Sequence, residues 1–133
     1  MCGIVSYIGS KDPLPIIIKG LERLEYRGYD SAGLFVSNSE IIDIIKVVGK
    51  VSKLKKALKN KTDINPTIGM GHTRWATHGE PNINNTHPHK SNSGELTLVH
   101  NGIIENYDSI KKELIERGYK SVSYTHLRAH ETS

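Results

Sequence analysis

Cys2 is the one cysteine of the chain and directly follows the initiator Met1. Its small side chain permits removal of Met1 by the usual processing enzyme, which would give Cys2 a free α-amino group. Because such an amine titrates near pH ~8, a useful fraction is neutral and can take the thiol proton, as in N-terminal threonine nucleophiles. Cys2 could thus carry both the nucleophile and the base of an acyl transfer. The alternative is an ordinary small apolar residue that leads into a strand.

The dipeptide Asn101-Gly102 follows an apolar segment and could serve the same chemistry. Attack on an amide creates a tetrahedral oxyanion, to which an asparagine side-chain amide and a glycine backbone N–H can both donate. Glycine also lets the backbone approach closely. Asn-Gly after a strand is equally a common turn signal, so the pair alone leaves both interpretations open.

The stretch His72–Gly79 contains a further candidate, Arg74, next to the only tryptophan, Trp75. A guanidinium can bind the α-carboxylate of an amino-acid substrate through two parallel hydrogen bonds. Trp75 could form a wall of such a pocket. The alternative is a strand end with an exposed arginine and a half-buried tryptophan.

Five histidines raise the question of a metal site: His72, His78, His87, His89 and His100. They form no His-Glu-x-x-His pattern, and no second cysteine is available to complete a zinc set. Imidazoles also cap loops and donate to backbone carbonyls. We therefore predict no bound metal and no cofactor.

The pattern of apolar residues predicts an α+β fold. The first half should form a buried strand over 3–9, a helix near 13–26 that begins after Asp12 and ends at Gly28, and a hairpin of strands 32–37 and 41–48. A lysine-rich helix with Val51, Leu54 and Leu58 on one face should follow, and then a strand near 67–74 and a loop over 79–94. The last predicted elements are a strand over 96–100 and a helix that is capped by Asn106 and has Ile110 and Leu114 inside. Because neighbouring strands form hairpins, a doubly wound parallel sheet is disfavoured.

Charge and hydropathy exclude several classes of protein. The chain has 18 basic and 14 acidic residues, and much of the excess comes from lysines between positions 46 and 61. We interpret these as a solvated helix face and predict no nucleic-acid partner, since no RNA-binding aromatic motif or zinc-finger spacing accompanies them. No apolar run approaches the roughly 20 residues needed to cross a bilayer, and no secretory signal is present. These features predict a cytoplasmic protein with no membrane partner.

Four blocks of the sequence carry a shared pattern: Met1–Val5, Leu24–Gly33, His72–Gly79 and His100–Asn106. Together they strongly resemble the N-terminal glutaminase domain of the glutamine–fructose-6-phosphate aminotransferase (isomerising) family, a branch of the class II glutamine amidotransferases, over roughly residues 1–120. Other class II amidotransferases, such as the phosphoribosylamine-forming enzyme and asparagine synthetase, lack the pairing of the second block with the third. The resemblance therefore favours the sugar aminotransferase branch.

The resemblance implies the N-terminal-nucleophile hydrolase fold, a four-layer αββα sandwich with two antiparallel sheets between helix layers. It implies that Cys2 is the nucleophile and its own amine the base. It further implies that Asn101 and Gly102 form the oxyanion hole. These implications select the catalytic interpretation of each residue.

The resemblance also implies how the substrate is held and used. Arg74, Trp75, Thr77 and His78 would contact glutamine, and Arg27 would lie near the nucleophile. In full-length members, which the resemblance implies are homo-oligomers, a separate isomerase domain binds the sugar phosphate. There the released ammonia aminates fructose 6-phosphate to give glucosamine 6-phosphate.

The chain departs from the family pattern near its end. The family has an aspartate that binds the substrate amino group, and His126 stands in its place here. We interpret residues 124–133 as a non-native tail on a truncated domain, residues 2–133, without the isomerase domain. A buried charge left without its partner is costly, so we expect this chain alone to hydrolyse glutamine poorly. The alternative to an enzyme is an inactive remnant.

Overall fold

The computed structural model describes residues 2–59, 65–75 and 81–120. Within these ranges the chain forms, in order, β1 (Gly3–Ile8), α1 (Pro13–Leu24), β2 (Ser31–Ser37), β3 (Ile42–Val48), α2 (Val51–Leu58), β4 (Ile68–Arg74), β5 (His89–Lys90), β6 (Thr97–Leu98) and α3 (Tyr107–Glu116), with 3-10 turns at Glu25–Arg27 and Ile83–Asn85. The predicted α+β class is confirmed. None of the helices in these ranges is long and apolar enough to cross a membrane.

A four-stranded antiparallel sheet in the order β1-β4-β2-β3 is the framework of the described chain. The predicted hairpin forms over its full length, from the Ser31–Val48 pair to the Ser37–Ile42 pair. β4 lies between β1 and β2, so Thr73 pairs with Gly3 on one side and with a β2 residue on the other. The sheet thereby brings the start of β1 beside the end of β4.

α1 packs on one face of this sheet, as predicted for an amphipathic helix with a capped start. Asp12 accepts a hydrogen bond from the Leu14 N–H at 3.0 Å, and Ile17 and Leu21 are fully buried. The helix approaches β4 closely because Gly71 has no side chain: a Cβ there would lie 2.6 Å from Ile17 Cγ2 and 2.7 Å from Leu21 Cδ1. Glycine in β4 therefore sets the distance between helix and sheet.

α2 covers the same face beside α1. Val51 and Leu54 are fully buried, while the lysines between them and after them are exposed, which confirms the predicted solvated face. The helix start is capped from elsewhere in the chain, because the Glu25 carboxylate accepts a hydrogen bond from the Val51 N–H at 3.2 Å. A carboxylate at a helix N-terminus also interacts favourably with the helix dipole.

The opposite face of the sheet is only partly covered. Ile4, Ile8 and Ile68 are 42%, 77% and 37% exposed, and the register places Ile4 and Ile8 in the same rows as His72 and Ile68. The prediction of a buried strand over 3–9 was therefore wrong for alternate residues. Side chains of a strand point to opposite faces, and α1 covers only one of them.

The segment from 81 to 98 covers part of this second face. It contains the second 3-10 turn and the two-stranded pair of β5 with β6, and its buried polar residues are Asn85, Thr86, His87, His89 and Ser91. The predicted loop is thus ordered over its described part. The strand predicted over 96–100 is shorter than expected, because regular pairing is confined to residues 97 and 98.

α3 departs most from the sequence prediction. Its bounds agree, but none of its residues is buried, so placing Ile110 and Leu114 inside was wrong. The Asn106 side chain makes no capping hydrogen bond, which corrects the predicted cap. The cap fails because Asn106 has φ −100° and ψ 31°, outside the extended region that an N-cap residue normally adopts. The burial fails because the described chain leaves this helix largely uncovered.

We predict that Gly71→Ala destabilises the protein by about 1–3 kcal/mol, because the added methyl overpacks the contact between α1 and β4. The exposed Ser10→Ala variant is the control and should stay within about 0.5 kcal/mol of the parent. Urea unfolding of both variants measures the change. Equal midpoints would show that α1 does not rest against Gly71.

Candidate active site

Cys2 lies where β1 meets the end of β4. The Trp75 N–H donates to Cys2 Sγ at 3.4 Å, and Sγ lies 3.8 Å from the Trp75 carbonyl oxygen. Because Gly3 pairs with Thr73, the residues that follow Thr73 lie beside Cys2. The thiol is partly exposed, so it combines a fixed position with access to a substrate.

Asn101 reaches Cys2 from a distant part of the sequence. Its Nδ2 donates to the Cys2 carbonyl oxygen at 3.2 Å. Its Oδ1 lies 2.6 Å from Nε2 of His72, which belongs to β4. The amide thus joins Cys2 to the centre of the sheet, and its N–H₂ group lies on the Cys2 side.

Gly102 continues this edge of the site in a conformation that favours glycine. Its φ is +153°, and a Cβ there would lie 3.3 Å from the His100 imidazole. A larger residue would be strained and would press on that ring. Of the predicted pair of donors, Asn101 contacts Cys2 directly, and Gly102 is the next residue along the chain.

Arg74 is buried, which contradicts the alternative of an exposed strand end. Its side chain is 4% exposed, and Nη1 lies 3.7 Å from Oδ1 of Asp30, which is 16% exposed. The Asp30 N–H also donates to the Arg74 carbonyl oxygen at 2.7 Å, and Ser31 Oγ donates to Asp30 Oδ1 at 2.9 Å. Asp30 therefore fixes the guanidinium beside the end of β4.

Trp75 is 48% exposed and lies against the turn that follows α1. A Cβ on Gly28, whose φ is +102°, would be 2.7 Å from Trp75 Cε3, so the glycine permits this contact. Arg27 ends the 3-10 turn just before Gly28. Two further predicted residues, Thr77 and His78, lie outside the described residues.

Three histidines form a stacked row behind the site. The rings of His72 and His87 stack with centroids 4.2 Å apart, and His87 and His89 are 4.6 Å apart and tilted. Burial lowers the pKa of His72 to about 4, with a smaller contribution from the Arg74 charge. Burial also lowers the pKa of His87, as do the nearby His72 and His89. Both rings are therefore neutral at neutral pH.

Metal ligation has no support in the described ranges, where no group of three or more His, Cys, Asp or Glu side chains is placed to hold an ion. The contacts of two residues near the site were not predicted from the sequence. His72 was considered only as a possible metal ligand, and Asp30 was given no role. His72 could have been suspected from its position two residues before Arg74 in a strand. Asp30 had no signal outside the family block.

We predict that stability falls as pH falls from 6.5 toward about 4, because His72 binds a proton in the unfolded chain near 6.5 but in the folded chain only near 4. Between these values the unfolded state binds more protons, at up to about 1.4 kcal/mol per pH unit. Urea midpoints at constant ionic strength measure the slope. His72→Leu should have a smaller slope in this window, and parallel curves would contradict the assignment.

Two curated sequence relatives carry the same name. No family model matches. The chain is 56% identical over 125 residues to a glutamine–fructose-6-phosphate aminotransferase (isomerizing) of Caldanaerobacter subterraneus subsp. tengcongensis. It is 55% identical over 126 residues to that of Bacteroides thetaiotaomicron. Each match covers 94% of this chain and 20% of the relative, so the chain spans about a fifth of the length of the curated relatives it matches.

Two solved structures superpose on nearly the whole chain. The glutamine phosphoribosylpyrophosphate amidotransferase from B. subtilis, complexed with ADP and GMP, superposes with a TM-score of 0.80 at 24% identity, over 97% of this chain and 28% of that one. A structure described as the allosteric regulatory enzyme of purine biosynthesis gives 0.78 at 23% identity, over 92% and 27%. The chain therefore has the N-terminal-nucleophile fold of class II glutamine amidotransferases, and nearly all of it is homologous to one part of the glutamine–fructose-6-phosphate aminotransferases.

Proposed function

We propose that this chain is the glutamine-hydrolysing, ammonia-releasing part of a glutamine–fructose-6-phosphate aminotransferase. The observation that carries the proposal is the hydrogen bond from Asn101 Nδ2 to the Cys2 carbonyl oxygen, 3.2 Å long. It brings an amide donor beside a partly exposed thiol at the start of the chain. The sequence relatives share this assignment by name, and the structural relatives share the fold.

The proposed reaction begins after removal of Met1. The Cys2 α-amine takes the thiol proton, and the sulfur attacks the side-chain carbonyl carbon of glutamine to form a C–S bond. The carbonyl oxygen becomes an oxyanion that the Asn101 side chain and the Gly102 N–H stabilise. The C–N bond then breaks, and the α-ammonium returns its proton to the departing ammonia. Water hydrolyses the thioester and releases glutamate and the Cys2 thiol.

Substrate binding is proposed for the residues around Arg74. Its guanidinium, oriented by Asp30 at 3.7 Å, would attract the glutamine α-carboxylate, and burial strengthens such an attraction. The exposed face of Trp75 would line the pocket. Thr77, His78 and Arg27 are proposed as further contacts on the family pattern alone.

The sugar chemistry belongs to the longer relatives. We propose that the ammonia formed at Cys2 serves the amination of fructose 6-phosphate to glucosamine 6-phosphate in a separate isomerase domain. The position of His126, where the family has an aspartate, lies outside the described residues. An inactive remnant with an intact Cys2 environment is the competing proposal, and the first test below separates the two.

Cys2 should be alkylated by a diazoketone analogue of glutamine, because the thiol is partly exposed and held beside amide donors. Intact-mass and peptide-mapping spectrometry would find one adduct, on Cys2, in protein that has lost Met1. Cys2→Ser is the matched control and should gain no adduct. A folded chain with processed but unlabelled Cys2 would identify the remnant.

Asn101→Ala should lower kcat for glutamine hydrolysis by about 100- to 1000-fold, the usual effect of removing one oxyanion donor. KM should change little, because the donor acts mainly in the transition state. The exposed Asn65→Ala variant controls for loss of an asparagine amide elsewhere. Ammonia release by the protein expressed from its complete gene is the measurement, and wild-type kcat in Asn101→Ala would remove Asn101 from the mechanism.

A further inference from the structure

We infer that His72 is a positioning residue that sets the orientation of the Asn101 amide, so that its N–H₂ group and not its oxygen faces Cys2. The inference rests on the proposed function and goes beyond it. A residue of β4 that is not proposed to contact the substrate would thus control which end of the Asn101 amide faces Cys2.

The direction of each hydrogen bond follows from chemistry. The Cys2 carbonyl oxygen can only accept, so the Asn101 atom 3.2 Å from it is the donor Nδ2. The other end of the amide is therefore Oδ1, an acceptor, and the atom 2.6 Å away on His72 is Nε2. A neutral imidazole has one N–H, so His72 must carry its proton on Nε2.

An amide turned end for end would disable the site. The planar side chain would then present Oδ1 to the Cys2 side, where an oxyanion develops, and two oxygens would repel each other. Rotation of a free asparagine amide costs little, and both ends have similar shape. A donor fixed at the far end is therefore what selects the productive orientation.

His72 is itself held rigidly enough to act in this way. It is fully buried in the middle of the sheet, where the register pairs it with Ile4 on one side and Gly33 on the other. The His87 ring stacks on it at 4.2 Å. A Cβ on Gly33 would overlap the His87 carbonyl oxygen, so the missing side chain is what admits His87 to this position.

The second ring nitrogen agrees with the assignment. Nδ1 of His72 is buried and has no hydrogen-bond partner among the described residues. A proton on Nδ1 would leave a buried donor without an acceptor, whereas a proton on Nε2 has the Asn101 Oδ1 acceptor 2.6 Å away, so the proton belongs on Nε2. Burial also lowers the pKa of His72 to about 4, so the ring stays neutral in the working range.

Kinetics of matched variants test the role in the protein expressed from its complete gene. His72→Leu should lower kcat by about 10- to 100-fold with little change in KM, because the donor is misplaced rather than removed. His72→Gln should recover most of the rate, since its amide nitrogen can reach the position of Nε2. His72→Asn, whose shorter amide reaches only the position of Nδ1, should not.

A double-mutant cycle separates positioning from a general structural role. In the Asn101→Ala background, His72→Leu should cause almost no further loss of kcat, because the amide that it positions is gone. Multiplicative losses, or a His72→Leu enzyme as fast as the parent, would overturn the inference. Urea midpoints of all four proteins identify losses caused by unfolding.

A spectroscopic measurement decides the hydrogen bond without any activity. ¹⁵N-histidine labelling of the unmodified protein should give one buried ring with a protonated Nε2 and a bare Nδ1 at neutral pH, assigned by its loss in His72→Gln. A ring protonated on Nδ1, or on both nitrogens, would overturn the inference. Parent enzyme that neither releases ammonia nor reacts at Cys2 would instead contradict the proposed function. Failure of the His72 inference and failure of the proposed function are therefore distinguishable.

Discussion

The antiparallel pairing of β1 with β4 is the constraint on which the candidate site depends. Chain termini are poorly ordered unless a sheet or helix holds them, and the proposed nucleophile at position 2 needs such a hold. Here β4 supplies it, and the residue just beyond its end, Trp75, donates its N–H to the Cys2 sulfur. Asn101 holds the Cys2 carbonyl oxygen from another side. A reactive group at the chain start thus becomes part of a rigid framework.

The same sheet brings polar groups into a buried layer. His72 and Arg74 of β4 are 0% and 3% exposed and, as alternate residues of one strand, lie on the same face of the sheet. Charges and dipoles interact more strongly in such surroundings than in water, which suits stabilisation of an oxyanion. The cost is sensitivity to acid, because the histidines of this layer are buried in neutral form.

The two faces of the sheet differ in how completely they are covered. α1 and α2 close one face with an apolar core of Ile17, Leu21, Leu34, Val51 and Leu54. The other face is closed near Gly33 by the segment around His87, and it is open at Ile4, Ile8 and Ile68. The family resemblance implies an αββα sandwich with two sheets, and the described residues form a four-stranded sheet and the two-stranded pair of β5 with β6.

Local patterns in the sequence determined most of the elements and pointed to Cys2 as the proposed nucleophile. The capped start at Asp12 and Pro13, the hairpin, the lysine-rich helix and β4 all follow from spacing of apolar and turn residues, and Cys2 follows from its position. Asn101, Gly102 and Arg74 were candidates from their residue types, and the blocks that resemble a family selected the catalytic interpretation of each. The predicted burial of one face of α3 was wrong, because periodicity shows which face of a helix is apolar but not whether another element covers it.

Only the tertiary structure decided what lies around these residues. The burial of Arg74 beside Asp30, the contact of Asn101 with His72, and the stacking of His72 on His87 join residues distant in sequence. No local pattern encodes such contacts, because they depend on strand order and register. That order places β4 between β1 and β2. As a consequence His72, first considered as a metal ligand, contacts the oxygen end of the Asn101 amide.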